Sequence, residues 1–321
     1  MPTKNISSSA TPPPVSPLLR TLELLGDGWT FFILRESFFG TRRFDVFQRA
    51  LGIPRARLAE RLSRLVQDNI LIKREYEDHP PRYEYLLSDA GHDVYGMTLL
   101  MKKWGDTWRQ HAPRPGLQLV HRACGQPLIP NLVCGECRAS VEPGSVEIPQ
   151  IESGIRIQPH FKVRRQLMRQ AFEQDSRNDS VARTLAVIGD QWAMVLVNEA
   201  LMYGTNTFDG FKSRLGIARS TLSSRLTHLV AENVLTKIPY QENPPRYAYE
   251  LTEAGKDLMG IYLLMYDWGK RWRCHTNEHI LTLSHKPCGA TFSAQVACRF
   301  CEMPVQSNDV AIGGAGLQVD G

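Results

Sequence analysis

Residues 121–137, HRACGQPLIPNLVCGEC, set one histidine and three cysteines at the spacing H-x2-C-x9-C-x2-C, and residues 285–301, HKPCGATFSAQVACRFC, repeat that frame. His121, Cys124, Cys134 and Cys137, and then His285, Cys288, Cys298 and Cys301, are each one imidazole and three thiols, the donor set of a structural Zn2+ site. A two-residue spacer places both ligands on one turn, and two such turns joined by nine residues describe a zinc-ribbon-like module. With four protein donors no position stays open for an activated water, so the frames predict two structural zinc ions per chain, one per frame. Buried thiols that hold no metal are the plainer alternative, and identical spacing in both copies argues against it. Six of the seven cysteines lie in the frames, which points to thiolates in a reducing compartment rather than a disulfide scaffold. Cys274, beside His275, reads as a packed or surface thiol.

The elements that must position these ligands repeat as well. Arg20-Thr21-Leu22 returns as Arg183-Thr184-Leu185 and Gly26-Asp27-Gly28-Trp29 as Gly189-Asp190-Gln191-Trp192, an offset of 163. One residue is added near Leu201-Met202, after which the offset is 164: Leu51-Gly52-Ile53 with Leu215-Gly216-Ile217, and Pro80-Pro81-Arg82-Tyr83 with Pro244-Pro245-Arg246-Tyr247. A constant offset over such a length marks a tandem duplication. The predicted organisation is a disordered tail at 1–16, a first domain at 17–112 with its module at 117–141, and a linker at 142–178 that contains a helix at 160–174. A second domain follows at 179–276, with its module at 280–305 and a disordered tail at 306–321.

Within each copy the hydrophobic period is helical through LLRTLELLGD and GWTFFILRESFFG, each ending near a glycine. RRFDVFQRALG gives a third helix stopped by Gly52, and only Ile53 and Pro54 separate it from RARLAERLSRLVQD, a helix-turn-helix. Leu58, Leu62 and Leu65 fall at i, i+4 and i+7 and face the core, which leaves Arg55, Arg57, Glu60, Arg61 and Arg64 outside. ILIKREY and RYEYLL, joined by EDHPP, form a hairpin or wing, and a long amphipathic helix from Asp89 carries Trp104 and Trp108. The fold class is mainly α with small β-hairpins: two winged helix-turn-helix domains, each followed by a small zinc-ribbon-like module.

The order of these segments resembles the HxlR family of bacterial winged helix-turn-helix regulators, relatives of the MarR type. The resemblance covers roughly 17–110 and 180–274 and is carried by the G-D-x-W box, the L-G-I turn and the P-P-R-Y-x-Y wing strand. It implies double-stranded DNA as partner, the fourth helix in the major groove, and dimerisation through the terminal helices, here as an intrachain pseudo-dimer or a homodimer. Many members carry a redox-sensing cysteine before the first helix. This chain has Ser16-Pro17 and Asp179-Ser180 there, so thiol sensing at that site is not supported.

The candidate DNA-contacting residues are Arg55, Arg57, Arg61, Arg64 and Arg82 in the first copy, and Arg219, Ser220, Ser223, Ser224, Arg225 and Arg246 in the second. Arginine can bond guanine O6 and N7 together or clamp a phosphate. An ordinary solvated face is the alternative for the helix arginines, and stacking on the neighbouring tyrosine for Arg82 and Arg246. The unlike fourth helices imply that the copies read different sequences. Trp104/Trp108 and Trp268/Trp272 read as core or helix–helix contacts, with an adjoining pocket for an effector of unknown chemistry as the second reading. The net charge of +5 permits a nucleic-acid partner without demanding one. No run approaches the roughly 18 apolar residues of a membrane span, and the polar, Pro-rich opening is unlike a signal peptide, so a cytoplasmic protein without a membrane partner is expected. No H-E-x-x-H, G-x-S-x-G or P-loop pattern points to an enzyme. A protein-interaction scaffold is the alternative to a DNA-binding regulator.

Overall fold

The structure is a computed structural model, and it describes residues 15–79, 81–109, 117–149 and 180–313. The helix expected at 160–174, the tail before residue 15 and the last eight residues lie outside that range. The first repeat runs α1 (Pro17–Leu25), α2 (Gly28–Phe38), α3 (Phe44–Leu51), α4 (Arg55–Gln67), β1 (Leu71–Asp78), β2 (Pro81–Leu87), α5 (Asp89–His92), α6 (Tyr95–Trp108), β3 (Leu119–His121), β4 (Pro130–Cys134) and β5 (Val146–Glu147). The second runs α7 (Ser180–Ile188), α8 (Gln191–Tyr203), α9 (Phe208–Leu215), α10 (Arg219–Ala231), β6 (Leu235–Gln241), β7 (Arg246–Leu251), α11 (Glu253–Asp257), α12 (Met259–Arg273), β8 (Ser284–His285), β9 (Ala294–Cys298) and β10 (Val310–Ile312). The single long helix expected after Asp89 is divided in both copies: Asp93 and Val94 part α5 from α6, and Leu258 parts α11 from α12.

Local chemistry sets the helix-turn-helix. Gly52 and Gly216 adopt φ of +59° and +61°, the left-handed conformation that ends α3 and α9 and turns the chain into α4 and α10. Antiparallel β1–β2 and β6–β7 make the wings, each bulged near its tip, between Glu75 and Glu77 and between Pro239 and Gln241.

The repeats clasp each other. Trp104 Nε1 donates to the Ala254 carbonyl at 2.8 Å, and Trp268 Nε1 returns the contact to the Ala90 carbonyl at 2.9 Å. Trp108 reaches Asp257 as Trp272 reaches Asp93, so the tryptophans are helix–helix contacts across the repeats. The Thr21 hydroxyl donates to Met265 O on α12, and that of Thr184 to Met101 O on α6. At the same crossings Gly269 lies against the Pro17 backbone and Gly105 against the Ser180 backbone; a Cβ there would sit 2.1 and 2.0 Å from a carbonyl oxygen, so only glycine lets these helices approach. The terminal helices do meet, Gly96 against Leu264 and Gly260 against Leu100. Each is nevertheless covered chiefly by the first helix of the other repeat, α1 on α12 and α7 on α6, which the sequence expectation had not included.

The cysteine-rich segments correct three expectations. They are not two separate modules: β4 pairs antiparallel with β9, β3 with β10, and β5 with β8, so every strand of this body finds its partner in the other repeat. Residues 306–313 are not a disordered tail, because a 3-10 turn at Ser307–Asp309 leads into β10, which pairs with Leu119–His121. The start of the expected linker is likewise folded, as β5. In the β4–β9 ladder Leu132 faces Val296, its own counterpart 164 residues on, so the pseudo-twofold relation between the repeats passes through that pair.

Candidate nucleic-acid interface and metal clusters

The fourth helices bury Leu58, Leu62 and Leu65, and Leu222, Leu226 and Leu229, as their spacing requires. The arginines divide into two groups. Arg55 and Arg219 are exposed, each lying over a ring of the preceding helix, Phe44 at 5.0 Å and Phe208 at 5.4 Å, and Arg57 is half-buried. Arg61 is buried instead, with Nε 3.1 Å from Asp27 Oδ2, so its assignment to the outer face is corrected. Its counterpart Arg225 stands 2.5 Å from Asp190. Each aspartate also caps the second helix, Asp27 accepting from the amides of Trp29 and Thr30 and Asp190 from those of Trp192 and Ala193. The D of the G-D-x-W box therefore ties the fourth helix to the second. Arg64 is half-buried, donating to the Glu23 carbonyl and lying 3.7 Å from Asp68. Ser220, Ser223 and Ser224 are exposed.

On the wings Arg82 and Arg246 are exposed, and Arg82 pairs with Glu77 at 3.3 Å. The neighbouring tyrosines are taken by lysines, Lys73 over Tyr83 and Lys237 over Tyr247, each at 3.8 Å, so these arginines are not the stacking partners. Arg43 lies over Tyr76 at 4.5 Å. Sequence reasoning missed Arg43, Lys73 and Lys237; for the two lysines the available signal was a cation on a strand paired with an aromatic-bearing one, and for Arg43, the N-cap of α3, no local pattern offered one. Beside Trp104 a cavity of about 110 Å³ is lined by Leu100, Leu132, Met259 and Leu263, well below the several hundred Å³ of an ordinary ligand pocket.

All eight predicted metal ligands come together, but not in the expected fours. His121 and Cys124 join Cys298 and Cys301, whereas Cys134 and Cys137 join His285 and Cys288; within each set all donor atoms lie within 4.8 Å of one another. The in-frame fours are thus corrected to sets with two ligands from each repeat. Four like turns build them. The amides of Gly125, Arg138, Gly289 and Glu302 donate to the carbonyls of His121, Cys134, His285 and Cys298 at 2.8 to 2.9 Å, all with positive φ at the donor residue. The inter-repeat ladders choose the pairing, since β4–β9 sets Cys134 opposite Ala294 and Cys298 opposite Pro130, at opposite ends of the ribbon.

The spacing suits a tetrahedral thiophilic cation. Cys124 and Cys301 Sγ lie 3.4 and 3.2 Å from His121 Nδ1, and the Cys124 and Cys298 sulfurs are 3.9 Å apart. In the second set Cys137 and Cys288 Sγ lie 3.4 and 3.3 Å from His285 Nδ1. A tetrahedron with metal–sulfur bonds of about 2.3 Å has sulfur–sulfur edges of roughly 3.8 Å. Nε2 of His285 is buried with no hydrogen-bond partner among the described residues, leaving Nδ1 as the ligating nitrogen. Burial pushes the Cys298 thiol up, but hydrogen bonds from the amides of Cys301 and Phe300 and from the Cys301 and Cys124 thiols together outweigh it and its pKa falls. For Cys301 the amide of Met303 lowers the pKa, and burial with the adjacent sulfurs carries the net shift upward. The two clusters are therefore able to hold metal ions.

Residues 24–113 and 187–277 each match the HxlR-like helix-turn-helix family. The chain is 42% identical over 118 residues to the uncharacterized HTH-type transcriptional regulator Rv3095 of Mycobacterium tuberculosis, covering 37% of this chain and 75% of that protein. It is 35% identical over 98 residues to the HTH-type regulator YtcD of Bacillus subtilis, covering 30% and 77%. Among solved structures, the candidate transcription factor PA1374 from Pseudomonas aeruginosa is 29% identical, with 46% of this chain and 94% of that one covered at a TM-score of 0.30. Among the described residues no single helix is long and apolar enough to cross a membrane; α7 and α8 reach that length and composition only together, and an 81° bend divides them.

Proposed function

Because the chain belongs to the HxlR-like helix-turn-helix family, we propose that it is a sequence-specific DNA-binding transcriptional regulator in which one polypeptide supplies both winged helices of the reading unit. The reciprocal clasp supports this reading: Trp104 with Ala254 and Trp268 with Ala90 join the two repeats within one chain by matching contacts. Helices α4 and α10 enter successive major grooves, and Arg55, Arg57 and Arg219 meet phosphates or guanine edges. Arg82 and Arg246, with Lys73 and Lys237, bring the wings to the backbone. Arg61 and Arg225 hold the reading helices in place rather than touching DNA. Sedimentation of the protein with an operator duplex is expected to give one chain per operator. A stable two-chain particle on one symmetric operator would refute the single-chain unit.

Replacing Arg55 and Arg57 together by alanine is expected to weaken binding and to lower the slope of log K against log salt by up to about 2, since roughly 0.9 counterion is released per phosphate neutralised. A titration at several salt concentrations measures it, with circular dichroism as the check on folding. Unchanged affinity and slope in the folded variant would remove α4 from the DNA interface.

Zinc is the occupant that fits the clusters: one imidazole and three thiolates close the coordination, so the ion has a structural role and supplies no chemistry beyond holding the two repeats' turns together. A scaffold without DNA readout lacks a comparable supporting observation, whereas Arg55 and Arg57 on the helix that such a fold offers to a groove support DNA binding.

A further inference from the structure

The two reading helices are built alike underneath and differ on top. Below the surface Leu58, Leu62 and Leu65 match Leu222, Leu226 and Leu229, and the Arg61–Asp27 pair matches Arg225–Asp190. The exposed residues of α4 include Arg55, Ala56, Ala59, Glu60 and Ser63, and their counterparts 164 residues on are Arg219, Ser220, Ser223, Ser224 and Thr227. The arginine is unchanged and the last position keeps its hydroxyl. At these five exposed positions the divergence is two methyls and a carboxylate against three hydroxyls; beside them the half-buried Arg57 is answered by the half-buried Thr221.

We propose that the chain reads a non-palindromic operator, and that Glu60 sets a base preference in one of its arms that the other arm lacks; this rests on the DNA-binding reading above. A carboxylate can only accept hydrogen bonds. In the major groove the donors are the amino groups of cytosine N4 and adenine N6, and glutamate's usual partner is cytosine. The O6 and N7 of guanine, the O4 of thymine and every phosphate oxygen repel it. Glu60 keeps 66% of its side chain exposed, with Oε1 3.3 Å from the guanidinium of Arg61, which Asp27 anchors. Its carboxylate is thus held at the outer surface of α4 by a group that cannot follow it into the groove. Ala56 and Ala59 favour contact with a thymine methyl, whereas the hydroxyls of Ser220, Ser223 and Ser224 donate or accept and discriminate less. A symmetric homodimer must present the same face twice. One chain with two repeats is free of that constraint.

Selection of binding sites by the full-length protein from a randomised duplex pool is expected to return a site with two different arms, one with an obligatory cytosine. Glu60→Ser should weaken binding to that site by roughly 5- to 150-fold, the range for one lost base contact, and abolish the cytosine requirement in that arm alone. Glu60→Gln should shift the preference from cytosine towards adenine. Glu60 is exposed, so unchanged melting of both variants is expected and is measured alongside. A symmetric palindrome from the wild type, or an unaltered base preference in Glu60→Ser, overturns the assignment while leaving DNA binding intact. Failure to select any duplex overturns the DNA-binding reading itself, and this inference with it.

Discussion

Substituting Cys134 and Cys288 together by serine is expected to leave one zinc ion per chain, and substituting Cys124 and Cys134 together to leave none. The first pair belongs to one cluster although it spans both repeats; the second lies in one repeat but damages both clusters. Ligation within each H-x2-C-x9-C-x2-C frame would reverse the two results, so metal content alone decides between them. Wild-type protein purified under reducing conditions should carry about two zinc ions, and a metal-free wild type with all seven thiols titratable would dismiss both arrangements. A chelator challenge accompanies the measurement, because three remaining ligands hold zinc weakly. The expected effect is large: apparent binding energies of structural zinc sites run to about 10 kcal/mol or more and appear as folding energy. Here that energy falls on a body whose strands are short and pair only between repeats. Loss of both ions should unfold that body while the tryptophan-clasped helices persist, visible as retained helical dichroism.

Arg61→Ala is expected to destabilise the first winged helix by about 3 kcal/mol, because it removes the counter-charge of the buried Asp27 carboxylate and leaves it only its hydrogen bonds from Trp29 and Thr30. Asp27→Asn keeps an N-cap acceptor for the amides of Trp29 and Thr30 and removes only the charge. In a cycle of Asp27→Asn with Arg61→Met, denaturant melts should show a coupling energy of about 1 to 3 kcal/mol. DNA affinity per folded molecule should change little, the opposite of the pattern expected for Arg55 and Arg57. A folded, fully stable Arg61→Ala protein with impaired DNA binding would return Arg61 to the interface.

The comparison of these arginines shows what the sequence could and could not disclose. The duplication, the helix-turn-helix and the wings were legible because period, glycine stops and paired β-rich runs are local signals. Arg61 was also within reach: it lies three residues after Leu58 and four before Leu65, and so shares their buried stripe rather than the outer face. What no local rule supplies is its partner, an aspartate thirty-four residues earlier. The metal ligands present the same problem in a stronger form. All eight were evident from residue type, yet the two-residue spacer inside each turn is the same however the four turns are paired. Only the β4–β9, β3–β10 and β5–β8 ladders distinguish them, and strands of two to five residues carry too short a pattern to announce their partners. For the same reason residues 306–313 read as a tail.

The cross-repeat ligation also bears on the order of events during synthesis. His121, Cys124, Cys134 and Cys137 leave the ribosome with no native partner turn: Cys298 follows 177 residues behind His121, and His285 follows 151 behind Cys134. At ribosomal speeds of about 5 to 20 residues per second that delay is roughly 10 to 30 seconds. During it the four early ligands hold a complete but non-native donor set, able to trap an ion in the wrong grouping. Correct loading must either wait for the second repeat or exchange ligands when it arrives, so finished chains of equal metal content can differ in ligand grouping according to their biosynthetic history.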